Sequence, residues 1–318
     1  MRKFLKQSEA TIVIGSILIF VLFSVINTGG WLNFFTIRNI TRFTAILGLV
    51  AMAETLVILV REIDLSVGAV YGLVGVAFVS LEPTLGVPLA FVAALLLAAV
   101  IGWLNATLVL RGKLSSMIVT LGGLFFYRGV IYVTTGGTVR SFDAAARQHW
   151  LVQLLGANWL WGLENGFWWF LLLILALSYI LFRTPLGNQL FATGGDPLSA
   201  ASRGVEVDQI KMLAFIGCSV LAGFAGLITL ANDPRTNVSI GQDVELEAIA
   251  AAVIGGVSLG GGKGSFLGAA LGAFFLTSIR SQLIMMGAPS VWYTSFVGAV
   301  LVLAAVVNTT LLRRMLRS

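Results

Sequence analysis

Long apolar runs separated by short clusters of charge, glycine or proline recur along the chain. They fall near residues 10–28, 41–60, 64–81, 86–110, 115–134, 166–183, 211–231, 244–261, 264–286 and 289–311. A helix rises ~1.5 Å per residue, so crossing ~30 Å of hydrocarbon takes about 20 apolar residues. The pattern predicts an all-α, polytopic membrane protein with about ten transmembrane helices, forming a single transmembrane domain over residues 1–318. Residues 1–7 carry Arg2, Lys3 and Lys6 and precede an apolar run over 10–26. That outline resembles a signal peptide, but the run is too long and lacks an A-x-A cleavage site, so it is read as a retained span.

Composition agrees with the pattern. Hydrophobic residues make up 58% of the chain and charged residues 11%, against about a quarter charged in soluble domains. The 20 Lys and Arg outnumber the 14 Asp and Glu, for a net charge of +6. The basic residues sit between apolar runs, which reads as topology and not as nucleic-acid binding. Threading from a cytoplasmic N-terminus leaves thirteen basic residues inside and five outside: Arg38, Arg42, Arg140, Arg147 and Arg235. Both termini are therefore expected to be cytoplasmic. Trp31, Trp150, Trp159, Trp161, Trp168, Trp169 and Trp292 map near the outer boundary, where amphipathic indoles gather. The one cysteine, Cys218, and the one histidine, His149, offer neither a disulfide framework nor a Cys/His metal cluster.

Two polar segments stand out, an outer loop over 135–165 and an inner loop over 184–209. The outer loop reads either as a docking surface or lid, or as a solvated loop with an interfacial helix. In the inner loop Asp196 is placed as N-cap, Pro197 at the first helical position and Gly204 as the stop, which specifies a helix of about two turns. So short a helix is marginal alone in water and needs something to pack against. The run over 255–265 superficially suggests a phosphate-binding loop, but Val257 occupies the first Gly position and Gly264 follows Lys263 where Ser or Thr is required. No nucleotide site is encoded there. Gly264, Gly268 and Gly272 recur every four residues, a spacing that permits close helix packing.

Ionisable residues within apolar runs each need a reason. Glu245 and Glu247 would sit at the outer interface, and Arg61, Glu62 and Asp64 in a solvated inner turn. Glu54 and Arg128 lie deeper, and either pair with each other or line a solute path. Phe125 and Phe126, beside Arg128, suit a sugar's apolar face, or lipid. The candidate solute pathway is Asp64, Asn105, Thr120, Phe125, Phe126 and Arg128.

These residues converge on a known pattern. Ile63 to Gly68, reading IDLSVG, resembles the Gly-Ile-Asp-Leu-Ser-Val-Gly motif of the ribose-type ABC sugar importer permeases, a family related to branched-chain amino-acid permeases. Residues 118–137, IVTLGGLFFYRGVIYVTTGG, resemble its Thr-Leu-Gly, aromatic, Arg-Gly, Thr-Gly-Gly block. Residues 192–205 and 255–272 are similar to its ATPase-contacting segment and its glycine-rich block. Glu62 stands where the family has Gly. The resemblance implies a type II, vitamin B12-importer-like arrangement in the bacterial inner membrane. It also implies a second permease copy (identical or related), a separate ABC ATPase subunit holding ATP and Mg, and a periplasmic solute-binding protein. It makes Asp196, Pro197, Ala200, Ala201, Arg203 and Gly204 an ATPase-coupling helix, with no catalytic residue and no metal in this chain. An ion-coupled secondary carrier using Glu54, Asp64 and Arg128 is the alternative, against which the capped inner helix argues.

Overall fold

The computed structural model describes residues 2–27 and 29–315. In order these form α1 (Arg2–Ile26), α2 (Phe34–Leu59), α3 (Val67–Leu110), α4 (Ser116–Thr135), β1 (Arg140–Ser141), α5 (Ala144–Arg147), α6 (Trp150–Gly156), α7 (Asn165–Arg183), α8 (Pro185–Gly195), α9 (Pro197–Ser202), α10 (Val207–Asn232), β2 (Arg235–Thr236), α11 (Val244–Ile254), α12 (Phe266–Met285) and α13 (Ser290–Met315). Among the described residues six helices, α2, α3, α4, α7, α10 and α12, are long and apolar enough to cross a membrane. Shorter apolar stretches, Ile12–Ile26 and Val291–Leu303, lie within α1 and α13.

Several boundaries differ from the sequence expectation, each for a local reason. The Asn33 side chain accepts from Phe35 N–H and starts α2 well before residue 41. Arg38 and Arg42 therefore ride on the helix and not in a loop. The two runs over 64–81 and 86–110 join into the 44-residue α3, broken at Gly86, whose φ of 72° and ψ of 164° lie outside helical space. Its halves fold back on each other: Asn105 Nδ2 donates to Ser66 Oγ at 2.9 Å, and Val74 and Ala98 both abut Gly223 of α10. Helix α11 stops at Ile254, and residues 255–265 continue as irregular backbone where a span to 261 was expected. The inner loop holds an additional helix, α8, opened by Pro185 at its first position. The all-α expectation has one exception, since β1 pairs antiparallel with β2, Arg140 opposite Thr236 and Ser141 opposite Arg235.

The core forms where α10 packs along both halves of α3 and where α2 lies between α10 and α12. Fully buried Leu49, Met52, Ile58, Phe215, Ile228 and Leu276 fill this junction. Small residues set its closest approaches. A methyl group at Gly268 would lie 2.2 Å from the Gly255 carbonyl oxygen, and one at Gly272 2.0 Å from that of Ala251. The third glycine of the expected stripe, Gly264, precedes the helix, because Ser265 is the N-cap of α12 and its Oγ accepts from Gly268 N–H at 3.0 Å. The packing face on the helix is thus Gly268 and Gly272.

Overpacking a tight interface costs about 1–3 kcal/mol, and more where the neighbour is rigid backbone. Gly272→Leu should therefore lower the thermal unfolding midpoint of the detergent-solubilised protein, with Gly129→Leu, at a position with open space, as the unaffected control. Equal midpoints for the two would refute the close α11–α12 contact.

Candidate functional site

Helix α9 is built as the local sequence dictates. Asp196 Oδ1 accepts from Leu198 N–H at 3.1 Å and Ser199 N–H at 3.3 Å, and Ser199 Oγ donates to Oδ2 at 2.5 Å. Pro197 supplies the first helical residue, and Gly204, at φ 85°, turns the chain away. The Ser199 hydroxyl and amide hold the Asp196 carboxyl below the usual carboxylate range. A depressed folded-state pKa means the cap is complete above the unfolded-state value and is lost only as pH falls through the lower folded one. At neutral pH the cap is intact.

The face that α9 presents is specific. Leu198 is 84% exposed, and Ala201, Ser202, Arg203 and Gly204 are exposed with it. Ala200, expected on the outward face, is 3% exposed and turned onto the protein's own domain. It is the anchor of α9, and Leu198 takes its place in the outward set. An exposed leucine beside a Pro-initiated turn carried no periodic signal in the sequence, which is why it was missed.

Three of the residues expected along a solute path, Asp64, Asn105 and Thr120, belong to one buried polar cluster, in which Asp64 Oδ2 has no hydrogen-bond partner among the described residues. Asp64 Oδ1 accepts from Ser66 N–H at 2.9 Å and from Ser66 Oγ at 2.5 Å. Asn105 Nδ2 donates to Ser66 Oγ, and Tyr127 OH donates to Asn105 Oδ1 at 2.9 Å. Thr120 Oγ1 accepts from Leu65 N–H at 3.0 Å. Asp64, Asn105 and Thr120 are at most 1% exposed. They fasten the non-helical turn between α2 and α3 to the far half of α3 and to α4. Buried polar groups need such partners. Tyr127, which falls in the aromatic part of the 118–137 block, is the member that sequence reasoning overlooked.

Arg128 and Glu54 do not pair. The Arg128 guanidinium donates through Nη1 to the carbonyls of Val238 and Ile240. Those carbonyls lie in the irregular stretch between β2 and α11, which drops onto α3: a methyl group at Gly72 would lie 2.7 Å from Ile240 O, and one at Gly68 2.6 Å from Gly241 O. Irregular backbone at membrane depth persists only where protein serves its polar groups, and Arg128 does that here. Glu54 is fully buried, with no hydrogen-bond partner among the described residues. Phe125 and Phe126 project outward from α4, 69% and 67% exposed.

Near the opposite end of the bundle from α9, Arg280 lies 3.6 Å from Glu247, and Tyr293 OH donates to the same carboxylate oxygen at 3.2 Å. The guanidinium also stacks over the rings of Phe43 and Tyr293, 5.6 and 5.1 Å from their centroids. Glu247, Arg280 and Tyr293, with Gln242, Asp243 and Thr294, line a cavity of about 360 Å³ whose remaining wall is apolar. The 135–165 segment is tied down by Glu164, which pairs with Arg38 at 3.4 Å and Arg42 at 3.6 Å, and by the β1–β2 pair.

Arg128→Ala would leave the Val238 and Ile240 carbonyls without their donor, at about 1–3 kcal/mol for each unpaired group. The variant should unfold at a lower temperature in detergent. An unchanged midpoint would show that the guanidinium does not hold the 237–243 segment.

Comparison with known proteins fits these features. Residues 36–306 match the family model described as "Branched-chain amino acid transport system / permease component". The chain is 35% identical over 303 residues to the autoinducer 2 import system permease protein LsrC of Photorhabdus laumondii, covering 94% of this chain and 88% of that one. It is 34% identical over 310 residues to the protein of the same name from Escherichia coli, covering 96% and 88%. No solved structure matches the chain. By the extent of the family match and the near full-length similarity to these relatives, this chain belongs to the branched-chain amino-acid and ribose-type permease family, as a membrane transport component and not an enzyme.

Proposed function

We propose that this chain is the permease subunit of an ATP-driven importer that moves a sugar-like solute across the bacterial inner membrane. Autoinducer 2, named for the relatives, is the first solute to test. In this reading the chain has ten spans in a type II arrangement with both termini in the cytoplasm, and α3 and its Gly86 turn supply two of the spans. Two permease copies enclose the path. A periplasmic binding protein delivers the solute, and a separate ATPase chain carries ATP and Mg.

The observation that carries the proposal is α9. A six-residue helix cannot hold itself together in water, yet here it is capped at both ends and anchored through Ala200, and it offers Leu198 outward. A large exposed apolar side chain on a rigid polar projection is what a partner's groove engages. Closure of the ATPases would push on α9 and tilt the bundle, opening the path to one side and then the other. Asp196, Pro197 and Gly204 hold the helix, Ala200 roots it, and Leu198, Ala201 and Arg203 meet the partner. Arg128, Phe125 and Phe126 remain the proposed boundary of the solute path on α4. Asp64, Asn105 and Thr120 support it from behind.

The test is purification of the tagged chain with its native partners. Co-recovery of a P-loop ATPase is expected. Leu198→Glu should reduce that recovery by about tenfold, the effect of ~1.4 kcal/mol, with unchanged abundance in the membrane, and Asp196→Ala should weaken it where Asp196→Ser does not. Undiminished ATPase recovery with Leu198→Glu would remove α9 from the interface. Uptake of labelled autoinducer 2 compared with ribose would assign the solute.

A further inference from the structure

Just before the Asp64 cluster, where α2 ends, Arg61 adopts φ 66°. A residue with a Cβ rarely enters that region, and it does so at a cost that surrounding contacts must offset. The contacts here are three backbone carbonyls. Arg61 Nε donates to Gly194 O at 2.6 Å and to Gly260 O at 2.9 Å, and Nη2 donates to Gly195 O. Gly194 and Gly195 are the last residues of α8, directly before the Asp196 cap of α9. Gly260 belongs to the irregular segment between α11 and α12. A planar guanidinium can engage several carbonyls at fixed angles, which a lysine ammonium cannot.

Backbone contact reinforces the same junction. Gly262 N–H donates to Leu59 O at 2.9 Å, and a methyl group at Gly194 would fall 1.6 Å from that same oxygen. Three segments, the end of α2, the root of α9 and the 255–265 loop, thus meet at Arg61 with no room to slide. A few residues on, the chain enters the Asp64–Ser66–Asn105–Tyr127 cluster that fixes α3 to α4. Glu62 is paired with Lys211 of α10. Displacement of α9 therefore has a continuous, hydrogen-bonded route into α2, α3, α4 and α12.

We propose that Arg61 is the positioning residue that transmits movement of α9 to the membrane helices, by clamping the α8–α9 junction to the end of α2 and to the 255–265 loop. The proposal rests on the reading of α9 as the ATPase-contacting helix. Arg61 touches neither nucleotide nor solute. It makes the short helix and the bundle move as one body, so that ATP-driven displacement is not absorbed by a loose hinge.

The test uses the assembled complex of permease, ATPase and binding protein in liposomes. Arg61→Gly removes the guanidinium while suiting the positive φ, so the turn itself is relieved of strain. Arg61→Lys keeps the charge without the fork. For Arg61→Gly, solute transported per ATP hydrolysed should fall about tenfold, while membrane abundance, ATPase stoichiometry and basal ATP hydrolysis stay near wild type, and Arg61→Lys should lie between. An unchanged transport-to-hydrolysis ratio would overturn the clamp, as would loss of both variants from the membrane, which would assign Arg61 to folding. If Leu198→Glu in the same assay leaves ATPase recovery and coupling intact, the reading of α9 itself fails, independently of Arg61.

Discussion

A backbone carbonyl that leaves helical geometry inside a bilayer meets no water, and something in the protein must donate to it. This constraint governs the irregular parts of the molecule. The turn between α2 and α3 has its N–H groups served by Thr120 and Asp64. The stretch before α11 is served by Arg128, and the segment after it by Arg61 and by Leu59 O. In these three segments Thr120, Arg128 and Arg61 each reach main chain of another element and so fix the relation between the two. Charges that a hydropathy profile treats as penalties are the fastenings of the bundle.

The apolar runs made the helices legible because length and hydropathy are direct consequences of bilayer thickness. The α9 cap was equally readable, since Asp, Pro and Gly each have a specific backbone reason to stand where they do. The partners of the buried polar groups were not. Asp64, Asn105 and Thr120 looked like a path lining because a polar residue in an apolar run is the same symbol whether it faces water or another side chain. The fold-back of α3 at Gly86, which brings Asn105 to Ser66, supplies partners that the sequence does not display. A pair between Arg128 and Glu54 was one of two readings that their depth along the spans left open, but depth is one coordinate of three. The carbonyls of Val238 and Ile240 bear no mark in the sequence at all.

The two ends of the molecule are organised differently. At the α9 end, backbone meets backbone through glycine, and the Arg61 guanidinium bonds the carbonyls of Gly194, Gly195 and Gly260. At the other end, longer side chains do the work: Glu164 with Arg38 and Arg42, and Glu247 with Arg280 and Tyr293. The first construction leaves little room for one segment to shift against another. The second pairs largely buried carboxylates with partly exposed arginines.

The fold-back of α3 also bears on how the chain enters the membrane. Asn105 alone would be an expensive passenger in a lipid-facing helix, and so would Ser66 beside an ionisable Asp64. Because the two halves meet across a one-glycine turn, the amide and the hydroxyl satisfy each other within a single helical hairpin. The hairpin thus brings one polar contact of its own, while the Asn105 carbonyl oxygen takes its donor from Tyr127 of α4.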